Sequence, residues 1–162
     1  MFVFNRIWKA NRFLTESIFL AAVLFLSVHP AQGQELSKLC DVAKDTVEKQ
    51  QSDWVLVSER EGENESRYTW KSGRDGISVL IFIGDSVQEA KQRMESTNKI
   101  LSVGPGKERA GFGEEAYSTK DPKGNFARLR FRKANVYIEI TAPTIAITED
   151  LAWNILKEIP NK

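Results

Sequence analysis

Residues 77–83, Ile-Ser-Val-Leu-Ile-Phe-Ile, form an apolar run broken only by Ser78. A strand that is apolar on both sides must be covered on both faces, or nearly so. The run therefore predicts the centre of a sheet, and the remaining elements have to be arranged around it. Ahead of it, residues 54–59 are rich in β-branched side chains, and residues 67–71 place Tyr68 and Trp70 on one face. The turns Glu61-Gly62-Glu63-Asn64 and Ser72-Gly73-Arg74-Asp75-Gly76 join these segments into an antiparallel meander.

A second set of strands is expected at 115–119, 126–132 and 136–141, with the turn Asp121-Pro122-Lys123-Gly124-Asn125 between the first two. In the last two, Ala127, Leu129 and Phe131 share a face with Val136, Ile138 and Ile140 when the connection at Lys133-Ala134-Asn135 is tight. Helical spacing marks three further segments. Leu36, Leu39, Cys40, Ala43 and Val47 make one stripe over 35–51. A second helix opens with the capping pair Ser86 and Glu89, and Val87, Ala90, Met94, Thr97 and Leu101 line one face. A third takes Thr148 as its N-cap, carries Leu151, Ala152, Ile155, Leu156 and Ile159, and stops at Pro160. The order α-βββ-α-βββ-α predicts an α+β domain: an antiparallel sheet of about six strands with helices packed on it.

The N-terminus belongs to a different category. Arg6, Lys9 and Arg12 precede an apolar stretch of 11 residues, 18–28, interrupted only by Ser27, and Ala31 and Gly33 then offer a small-residue cleavage site. The stretch is short for a bilayer span, which takes about 20 residues. Residues 1–33 are therefore expected to be a signal peptide and 34–162 a single exported domain, periplasmic or secreted, with no stable membrane span after cleavage. Leu39 before Cys40 does not fit a lipoprotein site.

Cleavage changes the chemical inventory. It takes three of the 23 basic and one of the 22 acidic residues, leaving 20 and 21, and it removes His29, the only histidine. Ser-His and Cys-His nucleophile systems then lack their base. Histidine-ligated zinc, iron and haem lack their ligands. No cofactor or metal is called for. Cys40 is the only cysteine, so within one chain it is a buried apolar residue or else bridges two molecules. A net charge of −1 runs against general nucleic-acid binding.

Two features remain as candidate binding surfaces. Arg128, Arg130 and Arg132 recur at two-residue spacing on one strand face, opposite Tyr137 and Glu139, and could meet an anionic ligand or an acidic protein. If that face is solvated, replacing all three by Ser should scarcely alter stability. The glycine-rich segment 103–114 carries Lys107 and Arg109 among Gly104, Gly106, Gly111 and Gly113. It follows a helix and enters a strand, the reverse of a phosphate-binding loop, so its glycines read first as turn formers. Adjacent Glu114 and Glu115 should point to opposite faces of a strand.

The stretch Gly111-Phe112-Gly113-Glu114-Glu115-Ala116-Tyr117, followed by a hairpin ending in Asn135-Val136-Tyr137-Ile138-Glu139-Ile140, resembles the G-x-G-[DE]-E-A-[YF] pattern of small exported bacterial α+β domains of the PsbP/Mog1-like group. The resemblance covers roughly residues 104–160. It implies a fold, an exported location and an accessory or binding role, with no catalytic residues to carry over. The expected function is a non-enzymatic exported binding or accessory domain for an envelope or extracellular protein or an anionic ligand. A carboxylate-dependent hydrolase of cell-envelope polysaccharide, or an enzyme-inhibitor module, is the alternative. The mature protein should begin at Gln34. Intact-mass measurement of the native product checks this, and a chain that keeps Met1 would refute it.

Overall fold

The computed structural model describes residues 30–50, 52–100 and 106–160. Within them the order is α1 (Pro30–Gln50), β1 (Val55–Glu61), β2 (Glu65–Ser72), β3 (Asp75–Ile83), α2 (Val87–Ile100), β4 (Lys107–Glu108), β5 (Glu115–Lys120), β6 (Ala127–Lys133), β7 (Val136–Ala142) and α3 (Ile145–Glu158). The expected leader falls almost entirely outside the described residues, as do Leu101 and Gly104. The cleavage position after Gly33 lies in the first turn of α1, ahead of its core-facing stripe.

All seven strands join one antiparallel sheet in the order β1-β2-β3-β7-β6-β5-β4. The architecture is thus α+β, as the element order predicts. Two meanders, β1–β3 and β4–β7, are sewn together where Ile81 pairs with Ile138 and Ile83 with Val136. The expected six strands become seven because Lys107 and Glu108, read from sequence as loop, pair with Ser118 and Tyr117. Two residues carry too little pattern to show a strand in sequence.

Alternation along each strand divides the sheet into two unlike faces. One carries Tyr68, Trp70, Ile77, Val79, Ile81, Leu129, Phe131, Ile138 and Ile140, all fully buried against α1 and α3. Burying each such side chain contributes about 1.5–3 kcal/mol, which makes this layer the main source of stability. The other face is apolar only near one end. There Leu80, Phe82 and Tyr137 pack with Ala90 and Met94 of α2. The predicted two-sided cover of the 77–83 run thus holds over Leu80–Ile83, while Ser78 stays half-buried.

Two helix readings need correction. α3 begins four residues early: Thr144 is its N-cap and accepts a hydrogen bond from the Ile147 N–H at 3.3 Å. Thr148 lies inside the helix, fully buried, donating to the Ile145 carbonyl at 2.7 Å. Two β-branched isoleucines follow the true cap, and no Glu or Gln stands at its N3 position, so the local signal is weak. In α2, Val87 is exposed, and among the described residues of its stripe only Ala90 and Met94 are fully buried.

Gly113 joins the glycine-rich segment to the hairpin. Its φ is +74°, and a Cβ there would overlap the Arg132 carbonyl. Gly124 has an equal φ of +75° but open space around it. Gly124→Ala should therefore cost about 1 kcal/mol for the left-handed backbone alone. Gly113→Ala should cost about 3 kcal/mol or more, because the β5–β6 contact must also give way. Denaturant unfolding of both variants measures the difference, and equal costs would show that the close approach is unimportant.

Candidate functional site

The 14 residues of α2 span about 21 Å and lie across one part of the second sheet face. Ser86 Oγ accepts from the Glu89 N–H at 3.2 Å, while the Glu89 carboxylate accepts from the Asp85 N–H at 2.7 Å. The reciprocal arm thus lands one residue upstream of the expected cap. Arg93 pairs with Glu65 of β2, fixing the helix against the sheet.

Arg130, the middle member of the arginine row, lies beneath this helix. Register places Arg128, Arg130 and Arg132 opposite Thr141, Glu139 and Tyr137, as the hairpin reading predicts. The row is nevertheless mostly interior. Arg130 is 0% exposed and Arg132 6%, and Tyr137 is buried with them. Arg130 donates to Asn98 of α2, and burial pushes its guanidinium below the ordinary value. Arg132 pairs with Glu114 and, at 3.5 Å, with Glu115, and it donates to the Ala134 carbonyl at 3.0 Å. Arg128 is half-buried and sits 3.4 Å from Glu139, which also accepts from the Tyr137 hydroxyl at 3.1 Å. Burial raises the Tyr137 phenol, so it acts as a hydrogen-bond donor.

Glu114 and Glu115 do not diverge as expected, because Glu114 precedes the strand, on a bend after Gly113, and both carboxylates reach Arg132. The Ala134 N–H, then Arg132, hold the Glu114 carboxyl below the usual range.

Lys107 and Arg109 sit elsewhere. Lys107 is exposed on the edge strand β4. Arg109 pairs with Glu149 of α3, on the opposite layer. Phe112 stacks on Trp153 at 4.7 Å between ring centres and touches Phe131 at 6.4 Å. The 109–113 segment is thus a clasp over α3, and the six expected site residues do not converge. Cys40 is 3% exposed, and burial raises its thiol, so it is a core residue of low reactivity.

The open part of the second face begins where α2 ends. On β2 the side chains of Arg67, Thr69 and Lys71 alternate with the buried Tyr68 and Trp70. Arg60 of β1 stands directly opposite Arg67. Both arginines and Lys71 are exposed, and none of the three has an ion pair among the described residues. The two arginines border a surface depression of roughly 410 Å³ lined by Arg60, Glu61, Gly62, Glu65 and Arg67. Both carboxylates there are already engaged, Glu65 by Arg93 and Glu61 by the Tyr68 hydroxyl at 2.5 Å and Lys44 at 3.5 Å. This cationic pair is absent from the sequence reading. The signal was the Arg-x-Thr-x-Lys alternation of β2, legible only as the reverse side of Tyr68 and Trp70. The partner Arg60 required the register, which a bulge between Leu56 and Ser58 shifts.

Fold and site together define an antiparallel α+β domain with one closed face and one half-open, cationic face. Comparison with family models, curated proteins and solved structures finds no match to this chain.

Because the middle arginine is interior, the expectation of a dispensable row does not fit its place in the fold. Arg130→Ser should lower stability by about 3 kcal/mol, through a cavity and unpaired polar groups under α2. Arg128→Ser should cost less, about 1–2 kcal/mol, since the half-buried side chain loses its bonds to Thr141 and Glu139. Equal, small losses in denaturant unfolding would refute this assignment.

Proposed function

We infer that the mature chain is an exported, non-enzymatic binding domain, periplasmic or secreted, that engages an anionic partner through the open half of its sheet. The observation that carries this reading is the cross-strand pair Arg60 and Arg67. Like charges directly opposite on neighbouring strands destabilise a sheet. The same strands keep two carboxylates nearby but tie them to other groups, so folding stability does not account for the pair. An anion seated between two guanidinium forks would relieve the repulsion and use their planar donor geometry. The resemblance to the PsbP/Mog1-like accessory domains points to the same kind of role.

Two alternatives fare less well. A glycoside hydrolase uses two carboxyl groups in unlike environments, whereas Glu114 and Glu115 are both tied to Arg132. An inhibitor would present a projecting loop, whereas residues 109–113 are bound down on α3 by the Arg109–Glu149 and Phe112–Trp153 contacts.

The double variant Arg60→Ser, Arg67→Ser tests the reading with polyphosphate as a probe. Wild-type protein should bind it at low salt and less well as salt rises, since these groups are exposed. The variant should bind at least about tenfold more weakly while its melting temperature stays level or rises slightly. Undiminished binding would remove the arginine pair from the function.

A further inference from the structure

The register of the open face places more than cations in line. Ser58 pairs with Thr69, Thr69 with Ser78, Ser78 with Thr141, Thr141 with Arg128, and Arg128 with Thr119. Directly opposed residues share a face, so five hydroxyl side chains and one arginine form a row straight across six strands. Neighbouring strands lie about 4.8 Å apart, which makes the row roughly 24 Å long. Ser58 is exposed and the other members are half-buried. Cations flank the row: along β2, Arg67 lies on one side of Thr69 and Lys71 on the other, and Arg60 stands beside Arg67.

We propose that this row is the binding track for an anionic polysaccharide, with its sugar hydroxyls lying along Ser58, Thr69, Ser78 and Thr141 and its acidic groups reaching Arg60, Arg67 and Lys71. The proposal rests on the anionic-partner reading above and names the partner's chemistry. Hydroxyl side chains both donate and accept hydrogen bonds, the complement of a sugar hydroxyl. A phosphate chain only accepts, and it would use the cations without the row. A membrane surface would favour apolar anchors beside the basic groups. A protein partner would favour aromatic and Met side chains at the centre of the face and disfavour Ser. The centre here is hydroxylic. Ser78 is the one polar residue in the 77–83 run, and it falls in this row, where α2 no longer covers the sheet.

The experiment compares the full mature domain with the variant Thr69→Val, Ser78→Ala, Thr141→Val, whose side chains keep nearly the same volume. Polygalacturonate, polyphosphate matched in charge, and phosphatidylglycerol vesicles are the three probes. The expected result is tighter binding of polygalacturonate than of polyphosphate, a loss of about tenfold or more for polygalacturonate in the variant, and unchanged polyphosphate binding. Circular dichroism of the variant should match the wild type. If it does not, single replacements of Ser58 and Ser78 by Ala carry the same comparison. Equal affinity for the two polymers, or an equal loss for both, would overturn the sugar track while leaving the arginine pair as an anion site. Binding of vesicles without polygalacturonate would overturn it in favour of a membrane surface. Binding of none of the three would overturn both readings.

Discussion

The structure depends on the seam between β3 and β7. These strands are more than fifty residues apart, and their pairing is what turns two separate meanders into one sheet. The seam is also strongly apolar. Val79, Ile81 and Ile83 meet Ile140, Ile138 and Val136 on the closed face. A one-residue slip would carry each of these to the other face, so the register is held by the whole α1–α3 core. Every cross-strand relation that matters for the candidate site is read outward from this line.

The second consequence of the seam concerns α2. The chain leaves β3 at the centre of the sheet and must reach β4 at the far edge, so its connection crosses the second face. A helix of 14 residues covers only part of that face. Under it, apolar Leu80, Phe82 and Tyr137 and the guanidinium groups of Arg130 and Arg132 are withdrawn from water, Arg130 donating to Asn98 of the helix and Arg132 to Glu114 at the bend and to the Ala134 carbonyl. Beyond it, the same face carries hydroxyls and the cations Arg60, Arg67 and Lys71, which have no ion pair among the described residues. Covered polarity and open polarity therefore share one surface, separated by the end of a helix.

Glycine and aromatic residues between α2 and β5 do a structural task. Gly113 permits backbone contact with Arg132, and Phe112 and Arg109 reach over to α3. The segment draws the edge of the sheet to the helix layer on the opposite face. It takes Lys107 and Arg109 away from the arginine row, and for that reason the basic residues that look alike in sequence do not form one surface.

Much of the fold is legible in the sequence. Alternation in β2, β6 and β7, the run in β3 and the stripes of α1 and α3 identify the elements and the closed face, because burial imposes periods of 2 and 3.6 that local patterns record. The N-cap of α3, the two-residue β4 and the exposure of Val87 are not recorded, since weak caps, short pairings and partial cover leave little local pattern. The arginine row shows the limit most clearly. Its two-residue spacing establishes that Arg128, Arg130 and Arg132 share a face, and nothing in the strand says whether a helix lies on that face. The sequence by itself determined most of the elements and their apolar sides, which follow from neighbours a few residues apart. Only the tertiary structure decided which half of the second face is covered and that Arg60 meets Arg67, because both depend on pairings and packing between distant segments.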